Sequence, residues 1–269
     1  MTWTIVLRAF ILTFLAGMAT SIGGLIAFFA KRTKTTFLSF SMGFSAGVMI
    51  YISFTEILKD ADVIISGSFE QKPAAWMTLI FFVLGFLITG FIDRVLPAID
   101  NPHEARDVEQ MAEDEVLGNK KLLRMGMFTA VALCIHNIPE GIATFMSGMS
   151  DITVGVSIAL AIGIHNIPEG IAVSVPVYYA TGSKKKALIW SMLSGFSEPL
   201  GAVIGYLILL RFSSETVLGY VYSIVAGVMI YIAFDELLPA AHRYGKHHVA
   251  IYGLLSGIIV IGMSLILLS

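Results

Sequence analysis

Two stretches decide the fold: FTAVALCIHNIPEGIATFM at residues 128–146 and VSIALAIGIHNIPEGIAVSV at 156–175. Each is about as long as a helix needs to be to cross the roughly 30 Å hydrocarbon core of a bilayer. Each also carries the same six letters, HNIPEG at 136–141 and again at 165–170. The motif sets an imidazole, an amide, a proline and a carboxylate where hydrocarbon belongs. Ionisable groups inside a membrane cost at least a few kcal/mol each unless paired, hydrated or liganded. A chain that buries them twice, in neighbouring spans, has a use for them.

The rest of the chain supports the membrane reading. Of its 269 residues 57% are hydrophobic and only 13% charged, where a soluble domain carries roughly a quarter charged. The apolar residues form long runs, without the period of a strand or an amphipathic helix. Cut at the charged breaks, the runs predict eight spans at about 4–30, 37–58, 75–96, 123–146, 153–180, 188–210, 217–240 and 249–269. The expectation is an all-α integral membrane protein of eight transmembrane helices. It would be one transmembrane domain over 1–269 with a cytoplasmic loop at about 97–122. The first run ends at Lys31, Arg32 and Lys34, a basic stop that marks a spanning helix rather than a signal peptide.

Charge sets the orientation. Of the 17 basic residues only Arg8, Lys59, Lys72 and Arg211 lie away from the first, third, fifth and seventh loops and the span ends that border them. The positive-inside bias places those four loops in the cytoplasm and both termini outside, in a multi-pass protein of the cell's inner (plasma) membrane. The net charge of −2 offers nucleic acid no basic face. The single cysteine, Cys134, excludes an intrachain disulfide and reads as a small buried hydrophobe.

A second repeat accompanies HNIPEG. AGVMIYISFTEIL at 46–58 returns as AGVMIYIAFDELL at 226–238. The two copies lie in spans two and seven, an odd number of crossings apart, so they run in opposite directions; the HNIPEG copies, in spans four and five, do so too. The pattern predicts an inverted repeat of helices 1–3 and 6–8 around helices 4 and 5, an architecture of secondary transporters with a midplane site.

On a helix, residues four apart share a face. His136 therefore points with Glu140, and His165 with Glu169, with Asn137 and Asn166 one step round. Pro139 and Pro168 lack an N–H and should loosen each helix, freeing the carbonyls of Ile135 and Ile164. Glu198 sits in span six directly before Pro199; Glu56, and Asp235 with Glu236, hold matching places in the second repeat. Apart from Arg124 at the very edge of span four, no lysine or arginine lies within spans four to six to neutralise Glu140, Glu169 and Glu198, so divalent cations are the economical partner. Imidazole with carboxylate and amide oxygen suits Zn²⁺, Fe²⁺, Mn²⁺ or Co²⁺, and the ligands exceed what one tetrahedral ion needs.

These residues resemble those of the ZIP (Zrt/Irt-like) metal transporters over nearly the whole chain, and the paired HNxPEG motif carries the resemblance. It implies a binuclear centre in the transport path. His136, Glu140, His165 and Glu169 would form one site, and Asn137, Asn166 and Glu198 the other, with Glu140 and Glu169 shared. Met49 matches a methionine flanking the first site in some members, Glu56 a position that varies, and Asp235 and Glu236 an acidic stretch on the cytoplasmic exit route. A single histidine, His103, stands where many relatives carry a cluster.

The function expected is therefore import of divalent transition-metal ions into the cytoplasm, zinc first, with iron, manganese, cobalt and cadmium as further candidates. The ions are cargo bound at two sites, no other cofactor is expected, and the partners are the metal ions and the lipid bilayer; a homodimer is compatible with this. An intramembrane metallohydrolase is the alternative; it needs an open metal position and a general base, and the HExxH signature it usually shows is absent. A metal-gated receptor would want a signalling domain that no loop is long enough to hold. The acidic third loop reads as a solvated linker. There, and for His242, His247 and His248 in the last loop, metal collection is the alternative.

Overall fold

A backbone that leaves water for lipid has to hydrogen-bond to itself, so long apolar runs become helices. The computed structural model describes residues 2–29, 35–95, 134, 137–211, 215–244 and 247–268, and among these every regular element is helical. The elements are α1 (Trp3–Phe29), α2 (Thr35–Ile52), α3 (Leu58–Ser66), α4 (Gln71–Val95), α5 (137–150), α6 (Ile152–Thr181), α7 (Lys184–Gly195), α8 (Ser197–Arg211), α9 (Glu215–Ile232), α10 (Leu238–Tyr244) and α11 (His247–Leu268). Seven helical stretches among the described residues are long and apolar enough to cross a membrane. The fourth expected span, 123–146, lies largely outside the described residues.

Three local outcomes differ from the sequence reading. The second span does not stop at 58: the helix continues through α3 to Ser66, exposing Lys59 and burying Ala61 and Ile65. The sixth span is two helices rather than one, broken at Phe196 ahead of Pro199, which has no N–H to return to Gly195. Pro168, by contrast, does not interrupt α6, which runs for 30 residues. Proline's fixed φ is a helical φ, so a surrounding helix can absorb the one lost hydrogen bond.

Between α2 and α3, and again between α9 and α10, the helix widens into a π-turn, at Ser53–Ile57 and at Ala233–Leu237. Leu58 N–H donates to the Ser53 carbonyl and Leu238 N–H to that of Ala233, the five-residue step of a π-helix. The two turns occupy the same place in the repeated AGVMIYI segments, and they carry Glu56 in one copy and Asp235 with Glu236 in the other.

The helices form two groups. α1 packs on α6, α7 and α8, with α5 against α8; α2 packs on α11, and α9 on α3 and α4. Contacts of α6 with α2 and α11 join the groups. Both are assembled by glycines too close to a neighbouring backbone to carry a side chain, the usual device where lipid supplies no hydrophobic drive. A Cβ on Gly47 would strike the Leu254 carbonyl and one on Gly227 that of Phe82, while Gly257 abuts the Phe44 carbonyl and Gly85 that of Ile224. In the other group Gly23 abuts the Ile167 carbonyl and Gly201 that of Ile138, Gly170 that of Thr20 and Gly141 that of Glu198. Each contact is thus made twice, the second displaced along the chain by an offset fixed for each helix. α1 corresponds to α8, α2 to α9, α4 to α11 and α6 to α5.

Candidate metal centre

The last of those glycine contacts set the site. Gly141 and Gly170 each follow a motif glutamate, and their missing side chains let α5 meet α8 and let α6 meet α1. Ser191 on α7 bridges the second junction, its hydroxyl 2.8 Å from the Thr20 carbonyl and 3.3 Å from that of Gly170. The approach brings three carboxylates, an imidazole and two amides into the interior. Asn137, Glu140, His165, Asn166 and Glu198 are 0% exposed and Glu169 2%.

His165 lies between two of the acids. Its Nε2 is 2.9 Å from Glu169 Oε1 and 3.2 Å from Glu140 Oε1, which joins the two motif copies through one ring. Glu169 comes from the next turn of the same helix, as the four-residue spacing requires, and Glu140 from α5. Asn166 donates from Nδ2 to the Ala16 carbonyl at 2.9 Å and to Glu198 Oε1. Asn137 donates from Nδ2 to the Ser194 carbonyl at 3.3 Å. Each amide nitrogen is thereby held by backbone of another helix, which fixes the orientation of its oxygen. Asn137 Oδ1, Asn166 Oδ1 and Glu198 Oε2 are buried acceptors with no hydrogen-bond partner among the described residues. A buried acceptor in that condition carries a desolvation cost of about 1–3 kcal/mol, more if charged.

The chemistry of this set suits a cation. Oxygen acceptors outnumber donors, and the described charge is carboxylate with no lysine or arginine among the six. The side chains contact one another directly; among the described residues no three of His, Cys, Asp or Glu are yet spread around a common centre. A divalent ion would take the Nε2 lone pair of His165 together with the carboxylates, displacing the proton that Nε2 shares with them.

The remaining expected residues lie as follows. His136 is outside the described residues. Met49 is buried in α2 within the apolar core that also holds Ile52, Ile158 and Ile162. Glu56, half-buried in the first π-turn, lines a cavity of about 490 Å³ with Tyr51, Asp151 and Ser157. Asp235 and Glu236 sit in the second π-turn. The anchoring carbonyls of Ala16 and Ser194 were beyond sequence reasoning, because any residue offers a carbonyl; so were both π-turns, which no residue type announces.

Comparison with known proteins agrees with this chemistry. Residues 93–266 match the family described as ZIP Zinc transporter. The chain is 54% identical to a zinc transporter ZupT of Streptococcus mutans over 96% of its own length and 97% of the relative's. It is 52% identical to the protein of that name from Oceanobacillus iheyensis, over 98% of each chain, and 50% identical to that from Clostridium perfringens, over 97% and 96%. The chain belongs to the ZIP transporter family.

Proposed function

We propose that this chain carries zinc across the membrane through a two-ion centre built from Asn137, Glu140, His165, Asn166, Glu169 and Glu198, completed by His136. Family membership makes it a divalent-metal transporter and a multi-pass membrane protein, and sets aside the metallohydrolase alternative. The observation that carries the site is the group of three buried acceptors without partners among the described residues, Asn137 Oδ1, Asn166 Oδ1 and Glu198 Oε2, around carboxylates already joined through His165. Glu140 and Glu169 serve both ions, His136 and His165 the first, and Asn137, Asn166 and Glu198 the second. Two divalent ions against three carboxylates leave a net positive charge, which limits affinity and lets an ion move on; conduction needs binding that can be undone. Iron, manganese, cobalt and cadmium fit the same donors.

The paired glycine contacts and matched π-turns support an inverted repeat of spans 1–3 with 6–8 around spans 4 and 5, in one domain over 1–269. The lysine cluster Lys184–Lys186 supports the orientation with both termini outside the plasma membrane. It occupies the first turn of α7, where the helix dipole disfavours cations, so membrane topology rather than helix stability accounts for it.

The test is metal content of the purified protein together with radiozinc uptake into proteoliposomes. The parent should hold two zinc ions, and Glu198→Ala about one by the site logic. A Glu140→Ala variant that binds and carries zinc like the parent overturns the assignment. For orientation, a cysteine at position 185 should escape an impermeant reagent added to intact cells.

A further inference from the structure

Outside the intramembrane centre, three imidazoles meet where the seventh span ends and the eighth begins. The rings of His242, near the end of α10, and His247, at the start of α11, have centroids 4.8 Å apart with planes inclined at 37°. His248 follows at 5.6 Å from His247 and stacks towards Tyr252, 6.4 Å away. His242 Nδ1 lies 2.7 Å from the Leu238 carbonyl one turn back. A carbonyl only accepts, so Nδ1 carries the proton and the neutral ring presents the lone pair of Nε2 outward. A histidine that donates one ring N–H to a backbone carbonyl, leaving the other nitrogen bare, is oriented as metal-ligating histidines are.

We propose that His242 and His247 form a two-imidazole site for a late first-row divalent ion such as zinc, at the end of the seventh span. Two imidazoles on one tetrahedral zinc, with Zn–N of about 2.0–2.1 Å, hold their centroids about 5 Å apart, which is the spacing of this pair. His248 is not a third ligand to that ion. Adjacent residues on a helix point about 100° apart, and its ring is turned to Tyr252. No third histidine, cysteine or carboxylate completes a cluster among the described residues, so water fills the remaining positions. Two neutral protein ligands make a labile site, suited to passing an ion on rather than storing it. The end of the seventh-span helix, where carbonyls point out of the last turn, adds a favourable dipole at His242. Asp235 and Glu236 precede it on the same helix. That the site faces the cytoplasm, and so receives ions that have crossed, rests on the orientation proposed above; the chelate itself does not.

The test uses the full chain in lipid nanodiscs, with diethyl pyrocarbonate modification of each histidine followed by mass spectrometry, with and without zinc as the only added metal. Zinc should slow modification of His242 and His247 together, several-fold, and leave His248 nearly unchanged. The protection should persist in Glu140→Ala, where the intramembrane centre no longer binds tightly, and His247 should lose it in His242→Gln. Equal modification with and without zinc overturns the proposal. So does protection that disappears in Glu140→Ala, which would make it a consequence of filling the intramembrane centre, or protection of His247 that survives His242→Gln.

Discussion

The two groups of helices use one packing device and bury opposite chemistry. Both close through glycines set against backbone carbonyls, at corresponding places. In the group of α2, α3, α4, α9, α10 and α11 the fully buried polar side chains are hydroxyls, and several satisfy themselves locally: Ser223 donates to the Gly219 carbonyl and Thr78 to that of Ala74, one turn back. In the group of α1, α5, α6, α7 and α8 the buried polar side chains include three carboxylates, an imidazole and two amides. A hydroxyl can turn its proton to its own helix; a carboxylate has none to turn. The first group buries only neutral hydroxyls, two of which (Ser45 and Ser53) find no partner among the described residues, while the second buries carboxylates that the proposed cations would neutralise. On the function proposed above, this difference gives scaffold work to one group and cargo work to the other.

The sharpest way to break this contrast is to remove an acid from each group. Glu140→Ala or Glu169→Ala takes a carboxylate that, on the proposal above, two ions share, and removes one of the two acids that His165 contacts. Zinc uptake into proteoliposomes should fall by more than about a hundredfold, at the upper end of what losing a supporting group costs a metal site. Glu56→Ala, in the first π-turn, should cost only a few-fold. If both variants were equally dead, the scaffold group would carry a ligand of its own.

A smaller effect separates packing from binding. Valine at Gly47 drives side-chain atoms into the Leu254 carbonyl, and valine at Gly170 into that of Thr20. Each should destabilise by about 1–3 kcal/mol, the cost of overpacking. Zinc bound at the proposed centre should raise the Tm of the parent by mass action. Gly47→Val should lower Tm and keep that zinc-dependent rise, whereas Gly170→Val should lower Tm and lose most of it, because Glu169 moves with its neighbour. Equal zinc responses in the two variants would mean that the two groups share the metal.

Spans and the buried polar residues could be read from sequence for one reason: each is a contrast with its surroundings. A carboxylate amid isoleucine stands out, as does an apolar run bounded by lysines. What could not be read depended on contacts without side-chain identity. The end of the second span is the clearest case. Lys59 and Asp60 look like a boundary, yet α3 continues because Ala61 and Ile65 bury one face while Lys59 looks outward. The break at Phe196 was hidden for the converse reason, since the run through it stays apolar while Pro199 removes a backbone donor. Pro168 carried the same signal as Pro199 and left its helix whole, so proline alone did not settle the question. Whether a proline breaks a helix depends on packing that the local sequence does not encode.

The smallest expected effect concerns how the cargo-bearing group holds together before metal arrives. α6 carries one full HNIPEG copy, and its first turn is capped by Asp151, whose carboxylate accepts from Thr153 N–H at 2.7 Å and Val154 N–H at 3.2 Å. These N–H groups, Val154's foremost, hold the carboxyl below its ordinary range. A depressed carboxylate stabilises the fold above its unfolded-state pKa, and that contribution fades as pH falls through the folded-state value. Asp151→Ala should therefore lower Tm slightly at neutral pH, with the gap from the parent closing as the medium is acidified below about pH 4. Asp151→Asn keeps an oxygen acceptor for both N–H groups, so it should retain most of the stability and show no such closing. The residue is exposed, and both shifts will be small. A gap between Asp151→Ala and parent that widens on acidification would show that the charge, rather than the cap, had been opposing the fold. In that case the acids of the 490 Å³ cavity, Asp151 and Glu56, would act on each other across it.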